Sequence, residues 1–312
     1  MHFSTKKINT EIIAKIITLI LLLEVNNALM PLYLELLLNG FQMLDAVSIN
    51  ANVFNGFTGN KNIAAASIAV KIPFALFLLS NKSKGWYIIS VLTLVLGIIS
   101  IMFISARASY LSLFAILLGS FCFGFINKKR TRQYYINLAI SLVMGFGISY
   151  ILVPNSTGNA MAKKVATISF TEKGSSGRNF LWNDAFRFGS ENIVSGGGLG
   201  SWKIESAPFW NAHGSEYLVP YHAHNDFLEI FAELGVVGLV LFVSIFVMVG
   251  YTFIKRALRK QEGAAFYYFC TLSFGAYFVD SVFNFPMERV IMMLLFALLI
   301  ILSLTNTATN EK

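Results

Sequence analysis

The sequence predicts an all-α fold: a polytopic integral membrane helix bundle of about eight transmembrane helices, with a large extracytoplasmic loop between spans five and six. Composition is the first observation behind this prediction. The 312 residues are 56% hydrophobic and only 13% charged, whereas soluble globular domains are about 25% charged. The second observation is that apolar runs long enough to cross a hydrocarbon core of ~30 Å recur along the chain. The third is that basic residues cluster in the short connections between these runs.

Six runs are strongly apolar, and two weaker ones contain ionisable residues. The first weak run holds Glu24 and Glu35, and the second holds Lys71 and Pro73. Ionisable residues inside a span usually face the bundle interior or a cavity, so both runs are retained as spans. In chain order, the predicted spans are 12–38, 62–80, 86–104, 109–126, 134–153, 236–254, 263–279 and 290–305.

The positions of the basic residues support this count. Basic residues favour cytoplasmic loops, and eight spans place all three basic connections on one side, together with both termini. The segments around Arg107, from 154 to 233 and from 283 to 289 then face outward. We therefore expect helices one to five in 1–153, an extracytoplasmic loop with the active site in 154–233, and helices six to eight in 234–312. The three basic connections contain Lys82 and Lys84; Lys128, Lys129, Arg130 and Arg132; and Lys255, Arg256, Arg259 and Lys260.

The net charge of +8 does not indicate a nucleic-acid partner. Most of the excess lies in those short loops, where it orients membrane helices. No soluble stretch interleaves basic with aromatic residues. Membrane lipids are therefore expected partners and nucleic acid is not, while the oligomeric state is not indicated.

The most informative stretch is 222–238, which places polar residues directly before a predicted span. Asn225 is a favourable helix N-cap, and Asp226 falls in the first turn, where the helix dipole favours an anion. Glu229 follows on the same face. Gly235 and Gly238 allow the chain to change direction or pack closely before the span.

His222 and His224 precede this helix, and three interpretations of them remain open. They could bind a metal with Asp226 and His213, act as a general base, or make structural hydrogen bonds. The positive end of the helix disfavours imidazolium and keeps the rings neutral, as a general base requires. His224 is the better candidate because it adjoins the helix cap.

Other outward residues also have both a structural and a functional interpretation. Arg107 is either an interfacial anchor or a ligand for a lipid-linked phosphate, which guanidinium binds bidentately. Arg178 follows small residues before a predicted helix at 179–188, where an anion fits, and is otherwise a solvated loop arginine. Segment 196–200 is glycine-rich and predicts a tight structural turn, followed by loop as far as Asn225. The residues of the last outer turn are expected to be helix caps or an ion pair: Asp280, Glu288 and Arg289.

The pattern His224-Asn225, nine residues, Gly235, two residues, Gly238 resembles the signature of the O-antigen ligase and polymerase superfamily. Further elements are similar to that family's landmarks, although its members usually carry more spans at the N-terminus. These elements are Ser105-Ala-Arg107, Ser176-Gly-Arg178 with Trp182, Gly198-Leu-Gly200 and Gly59-Asn-Lys-Asn62.

The resemblance implies a metal-independent glycosyltransferase without a cofactor. Its donor would be a glycan on undecaprenyl pyrophosphate at the outer face of the bacterial inner membrane. The acceptor would be lipid A core for a ligase, another lipid-linked repeat for a polymerase, or protein hydroxyls in a related branch. By the same resemblance, Arg107 and Arg178 would hold the pyrophosphate and His224 would activate the acceptor hydroxyl, with His222, Asn225, Asp226 and Glu229 in support. Outside this class, a lipid-linked glycan transporter and an inert scaffold remain alternatives.

Overall fold

The fold was analysed in a computed structural model that describes residues 8–38, 51–79, 81, 83–126, 131–152, 178–211, 221–259, 263–305 and 307–308. Within these ranges the chain is helical except for turns, three 3-10 segments and one pair of two-residue strands, which confirms the predicted all-α class. The α-helices are α1 Thr10–Ala28, α2 Met30–Leu38, α3 Lys61–Leu78, α4 Lys84–Ile104, α5 Arg107–Ile126, α6 Thr131–Leu152, α7 Arg178–Glu191, α8 Trp202–Asn211, α9 Asp226–Leu258, α10 Ala264–Phe283 and α11 Val290–Leu304.

Each predicted span coincides with a helix, except that the first one is bent. Run 12–38 divides into α1 and α2, whose axes differ by 44°. Among the described helices, four are long and apolar enough to cross a membrane, or five if the bent pair is one span. Two further helices are apolar but shorter: Arg107–Phe123 of α5, and α11. The chain is thus a polytopic helical membrane protein, and the number eight stays a prediction.

The two described ends of the chain lie side by side. Strands β1 (Ile8–Asn9) and β2 (Thr307–Ala308) pair in parallel. Helix α11 ends directly before β2 and begins after Arg289, so Arg289 lies at the opposite end of the bundle. Helix α3 runs the same way, because Asn81, beyond its C-terminus, donates a 3.0 Å hydrogen bond to Glu11 near β1. We call the end beside the strands the termini end and the other the site end.

The interior of the bundle contains one buried ion pair. Lys71 Nζ lies 2.6 Å from Glu24 Oε2, and the two side chains are only 5% and 7% exposed. Lys71 also donates to the Ser67 carbonyl at 3.2 Å. This pair confirms that Glu24 of the first weak span and Lys71 of the second face the interior of the bundle. Because each charge compensates the other, the pair joins α1 to α3 without leaving an isolated charge.

At the site end, a glycine-rich turn docks on a break in α9. The backbone of Gly235 leaves the helix at φ 63° and ψ −163°, a region that essentially only glycine adopts. The break leaves backbone N–H and C=O groups of α9 without helical hydrogen bonds, and the turn forms hydrogen bonds with them. Gly197 N donates to Ala232 O at 3.0 Å, Gly198 N to Glu233 O at 2.8 Å, and Val236 N to Ile193 O at 2.7 Å. Both the predicted tight turn and the predicted change of direction are confirmed.

The predicted loop between this turn and Asn225 is wrong, because Trp202–Asn211 forms helix α8. Its first residue, Trp202, is fully buried and packs on Phe188 of α7 with ring centroids 6.2 Å apart. The helix contains Pro208 and has no clear apolar period. Burial of one large aromatic side chain therefore stabilises it, which local sequence patterns do not reveal. The predicted helix 179–188 is confirmed as α7.

The docked turn predicts that Gly196→Ala and Gly235→Ala lower the midpoint of thermal unfolding in detergent. A Cβ at Gly196 would lie 2.4 Å from Glu233 O, and one at Gly235 would lie 2.4 Å from Val194 O. The backbone strain at Gly235 alone costs about 1–3 kcal/mol. The matched control is Gly275→Ala in α10, where a Cβ meets no atom within 4 Å. Equal midpoints for Gly235→Ala and Gly275→Ala would contradict the docking.

Candidate active site

Asn225 begins the helix that carries the candidate site. Its Oδ1 accepts from Phe227 N at 3.0 Å and from Leu228 N at 3.1 Å, as expected of an N-cap. The preceding residue, His224, has φ 54°, a left-handed conformation that is uncommon outside glycine. The cap and this turn fix the positions from which the side chains of His222 and His224 extend.

The imidazole of His222 is held on two sides. Its Nδ1 lies 3.0 Å from Glu229 Oε1, and Glu229 Oε2 accepts from Ala223 N at 2.9 Å. The ring also stacks on Phe285, with centroids 4.2 Å apart and planes 15° apart. Glu229 therefore fixes both the His222 ring and the backbone that leads to His224.

The imidazole of His224 has fewer contacts. Its ring meets the edge of Phe285 at 4.8 Å, and among the described residues its buried Nδ1 has no hydrogen-bond partner. Burial, followed by the positive charges of Arg178, His222 and Arg289, lowers the pKa of His224 to about 4. The ring is therefore neutral at neutral pH. The sequence also predicted a neutral His224 ring, from its position at the positive end of a helix. In the structure, burial and the neighbouring cations are the causes of this neutrality.

Arg178 and Arg107 lie near each other at the site end. Arg178 donates from its guanidinium to Asn284 Oδ1 at 3.2 Å. Burial and then the charge of Arg107 lower the pKa of Arg178, while Asp280 opposes this shift. Arg107 is the first residue of α5 and follows Ser105, whose left-handed backbone ends α4. Two nearby guanidinium groups repel each other, and a bound anion relieves that repulsion.

The last outer turn connects the arginine to the histidine helix. Asn284 also donates to Asp280 Oδ1, so its amide bridges Asp280 and Arg178. Asp226 is buried and accepts from Met287 N at 3.3 Å. Asp226 thus holds the turn against the start of α9. The structure gathers His222, Asn225, Asp226 and Glu229 around His224.

The expectation of caps or an ion pair in the last outer turn is confirmed for Glu288, which pairs with Lys203 of α8 at 2.8 Å. For Arg289 it is not met. Arg289 precedes α11 without a side-chain capping bond, and its guanidinium lies 4.4 Å from the Phe285 ring centroid. No sequence motif indicates this contact, and only the arginine's position before an outward helix start could have suggested it.

A small pocket, with about 30 Å³ of enclosed space, opens beside His224. Arg107 and Arg178 do not line it. Arg178 nevertheless borders it, because it donates to Asn284, which lines the pocket. The pocket is lined by Asn60, Asn62, Ile63, His224, Asp280, Asn284, Phe285, Pro286, Arg289 and Met292.

The metal interpretation of the histidines finds no ligand set in the described part of the chain. No group of three or more His, Cys, Asp or Glu side chains is placed there to hold an ion. Asp226 faces Met287 N, and His222 faces Glu229. His213 lies outside the described residues.

Comparison with known proteins confirms the resemblance that the motifs indicated. Residues 92–243 match the model of the family described as O-Antigen ligase. This range includes Arg107, Arg178 and His224, but not Arg289. A Rickettsia conorii (strain ATCC VR-613 / Malish 7) protein, named only as a candidate polysaccharide ligase, is 23% identical over 260 residues. The match covers 81% of this chain and 59% of that relative, so the chain spans about three fifths of the relative's length.

The site predicts an unusually low pKa for His224, measurable by NMR of ¹³C-labelled histidine rings in the detergent-solubilised chain. The signal that disappears in His224→Asn identifies the ring, and its titration midpoint is expected near 4. Arg178→Gln and Arg289→Gln remove positive charges that disfavour imidazolium, so each raises the midpoint. Lys203→Gln is the control and leaves it unchanged. A wild-type midpoint near the usual ~6.5 would contradict the site's electrostatics.

Proposed function

We propose, from the match of residues 92–243 to the family model described as O-Antigen ligase, that this chain is a glycosyltransferase that moves a glycan from undecaprenyl pyrophosphate to an acceptor hydroxyl of lipid A core. The observation that carries the proposal is the cluster of cations at a neutral imidazole. Arg178 and Arg289 act on His224, and Arg107 acts on Arg178. Such a cluster suits an anionic leaving group beside a general base.

The arginines stabilise the departing pyrophosphate. A glycosyl pyrophosphate already contains a good leaving group, and charge accumulates on its phosphate oxygens as the C–O bond breaks. Guanidinium groups bind those oxygens through charge-assisted, bidentate hydrogen bonds. Arg178 is positioned for this by Asn284, and Arg107 by the start of α5. The two charges supply the stabilisation that a metal ion supplies in other transferases.

His224 takes the proton of the acceptor hydroxyl. The hydroxyl oxygen attacks the anomeric carbon from the side opposite the pyrophosphate, so the configuration inverts. A pKa near 4 suits a ring that must be neutral before reaction, but it makes a weak base. The negative charge of a bound donor offsets the neighbouring guanidinium charges and raises the His224 pKa, so donor binding increases basicity where it is needed. No cofactor enters this scheme.

The remaining polar residues position the base. Glu229 orients His222 and the Ala223 amide, Asn225 caps α9, and Asp226 ties α9 to the last outer turn. None of these groups needs to touch the reacting atoms. Their loss would displace His224 relative to Arg178.

The site faces the periplasm in this proposal, and both termini are cytoplasmic. The paired strands place both described ends of the chain on one side, and the site lies at the other end of the bundle. Arg256, in the basic last turn of α9, bonds to Tyr267 and the Thr305 carbonyl at the termini end. Basic connections mark the cytoplasmic side.

An O-antigen polymerase and a protein O-oligosaccharyltransferase would use the same chemistry with other acceptors. A transporter would need ionisable groups along a path through the bundle. Lys71 and Glu24 instead bond to each other, and both are buried. The family match and the relative's name favour a ligase among these alternatives.

The proposal predicts that His224→Ala and Arg178→Ala abolish glycan transfer without loss of the folded protein. Loss of a general base typically costs 10²–10⁴ in rate. The matched control is Arg187→Ala, which removes an exposed arginine from the same helix as Arg178. Transfer is measured by gel ladders of surface glycan in cells, and folding by elution of the solubilised protein. Wild-type ladders in His224→Ala would refute the proposed role of the imidazole.

Deletion of the gene separates the ligase from the polymerase. Without a ligase, long glycans accumulate on the lipid carrier and do not reach the lipid A core. Without a polymerase, acceptors carry a single repeat. We expect the first pattern on a gel of the lipid-linked and core-linked fractions, and single-repeat products would assign the chain as a polymerase.

A further inference from the structure

Arg289 is a cation that the scheme above leaves without a role. Its guanidinium lies 4.4 Å from the Phe285 ring centroid, while His222 stacks on the same ring at 4.2 Å. A stacked imidazole fills one face of a phenyl ring, so the guanidinium lies over the other. Within the described ranges, the Nε of Arg289 is buried and has no hydrogen-bond partner. A buried donor without an acceptor is costly until a ligand supplies one.

The acidic residues near Arg289 are engaged elsewhere. Glu288 pairs with Lys203 at 2.8 Å. Asp280 lines the pocket, but its carboxylate accepts from Asn284 and attracts Arg178. An anion that enters the pocket therefore meets the carboxylate of Asp280, whose negative charge is already offset by the Asn284 amide and the Arg178 guanidinium.

Two helices begin at the pocket wall, and both favour an anion there. Helix α3 starts after Asn60, which caps it by accepting from Asn62 N at 2.9 Å, and Asn60, Asn62 and Ile63 line the pocket. Helix α11 starts after Arg289 itself. Helix N-termini carry partial positive charge, and this charge favours an anion even at α3, where Asn60 already accepts from the N–H groups of Asn62 and Ile63. The guanidinium and two amide side chains offer donors for an anion and for neighbouring hydroxyls.

We propose that this pocket is the acceptor subsite and that it binds an anionic sugar, with a phosphate or carboxylate on Arg289 and hydroxyls on Asn60 and Asn62. The inference rests on the proposed function. The donor arginines, Arg107 and Arg178, do not line the pocket, whereas His224 does. An acceptor seated there presents a hydroxyl to His224, and Asn284 lies between the pocket and the guanidinium of Arg178, to which it is bonded.

The size of the pocket limits what it accepts. Its enclosed space is about 30 Å³, which is little more than a water-sized group occupies. The pocket therefore receives at most the anionic group, and the sugar ring and the rest of the acceptor lie at its open mouth. The anion is expected on the accepting sugar itself, close to the hydroxyl that reacts.

Binding of small sugars to the full-length chain tests the subsite without any transfer reaction. The probes are glucose 6-phosphate, glucuronate and neutral glucose, and the readout is the His224 ring signal in ¹³C NMR. We expect saturable shifts with one or both anionic sugars and none with glucose. The better of the two anionic probes tells whether the acceptor group is a phosphate or a carboxylate.

Matched variants locate the anion. Arg289→Met keeps an unbranched side chain against Phe285 and is expected to weaken binding at least about tenfold. Arg289→Lys retains the charge and is expected to bind more tightly than Arg289→Met. Arg187→Gln, which removes an exposed arginine of α7, is expected to change the affinity by less than about threefold. Wild-type affinity in Arg289→Met would overturn the assignment, and so would the lack of any saturable shift in the wild type.

This test is independent of the test of the proposed function. If His224→Ala retains transfer but the sugars still bind through Arg289, the transferase mechanism fails while the anion site stands. If His224→Ala abolishes transfer but Arg289→Met binds the probes normally, the mechanism stands and the acceptor subsite fails.

Discussion

The structure depends on one electrostatic constraint: cationic groups are gathered around a neutral imidazole at the end of an apolar bundle, while the nearby carboxylates of Asp226, Glu229 and Glu288 bond to other groups. Arg178 is partly buried and repelled by Arg107, and Arg289 rests on an aromatic face. Such an arrangement is unfavourable by itself, because like charges in a poorly solvated site raise each other's energy. It becomes favourable when an anion binds. Burial and the same cations lower the pKa of His224, so in the proposed mechanism the charges that bind the substrate also act on the base.

The fold supplies rigid supports for these charges. Phe285 contacts His222, His224 and Arg289 at once, and therefore fixes their relative positions. Asp226 joins the turn that carries Phe285 to the helix that follows the histidines. The glycine-rich turn docks behind that helix and satisfies the backbone at its break. Flexible side chains are thus held by short, buried contacts, which is what a preorganised site needs.

The sequence was sufficient for features that arise from local chemistry. The apolar runs predicted the helices, Asn225 predicted its own cap, and Gly235 predicted the break, because each depends on neighbouring residues alone. The bend between α1 and α2 also has a local cause, because Pro31 at the start of α2 disfavours a continuous helix. The helix at Trp202 and the position of Arg289 depend on distant parts of the chain. Arg289 is 65 residues after His224 by their numbers, and no local pattern joins them. A resemblance to a family signature pointed to His224, Arg107 and Arg178, while only packing on Phe285 revealed the third cation, Arg289.

The account is tested most directly by an electron cryomicroscopy structure of the full chain in a lipid nanodisc with undecaprenyl pyrophosphate bound. It predicts the two phosphates at the site end, in contact with the guanidinium groups of Arg107 and Arg178, with His224 beside them and the Arg289 pocket unobstructed by the lipid. A pyrophosphate bound at the termini end, or one at the site end that touches neither Arg107 nor Arg178, would contradict it.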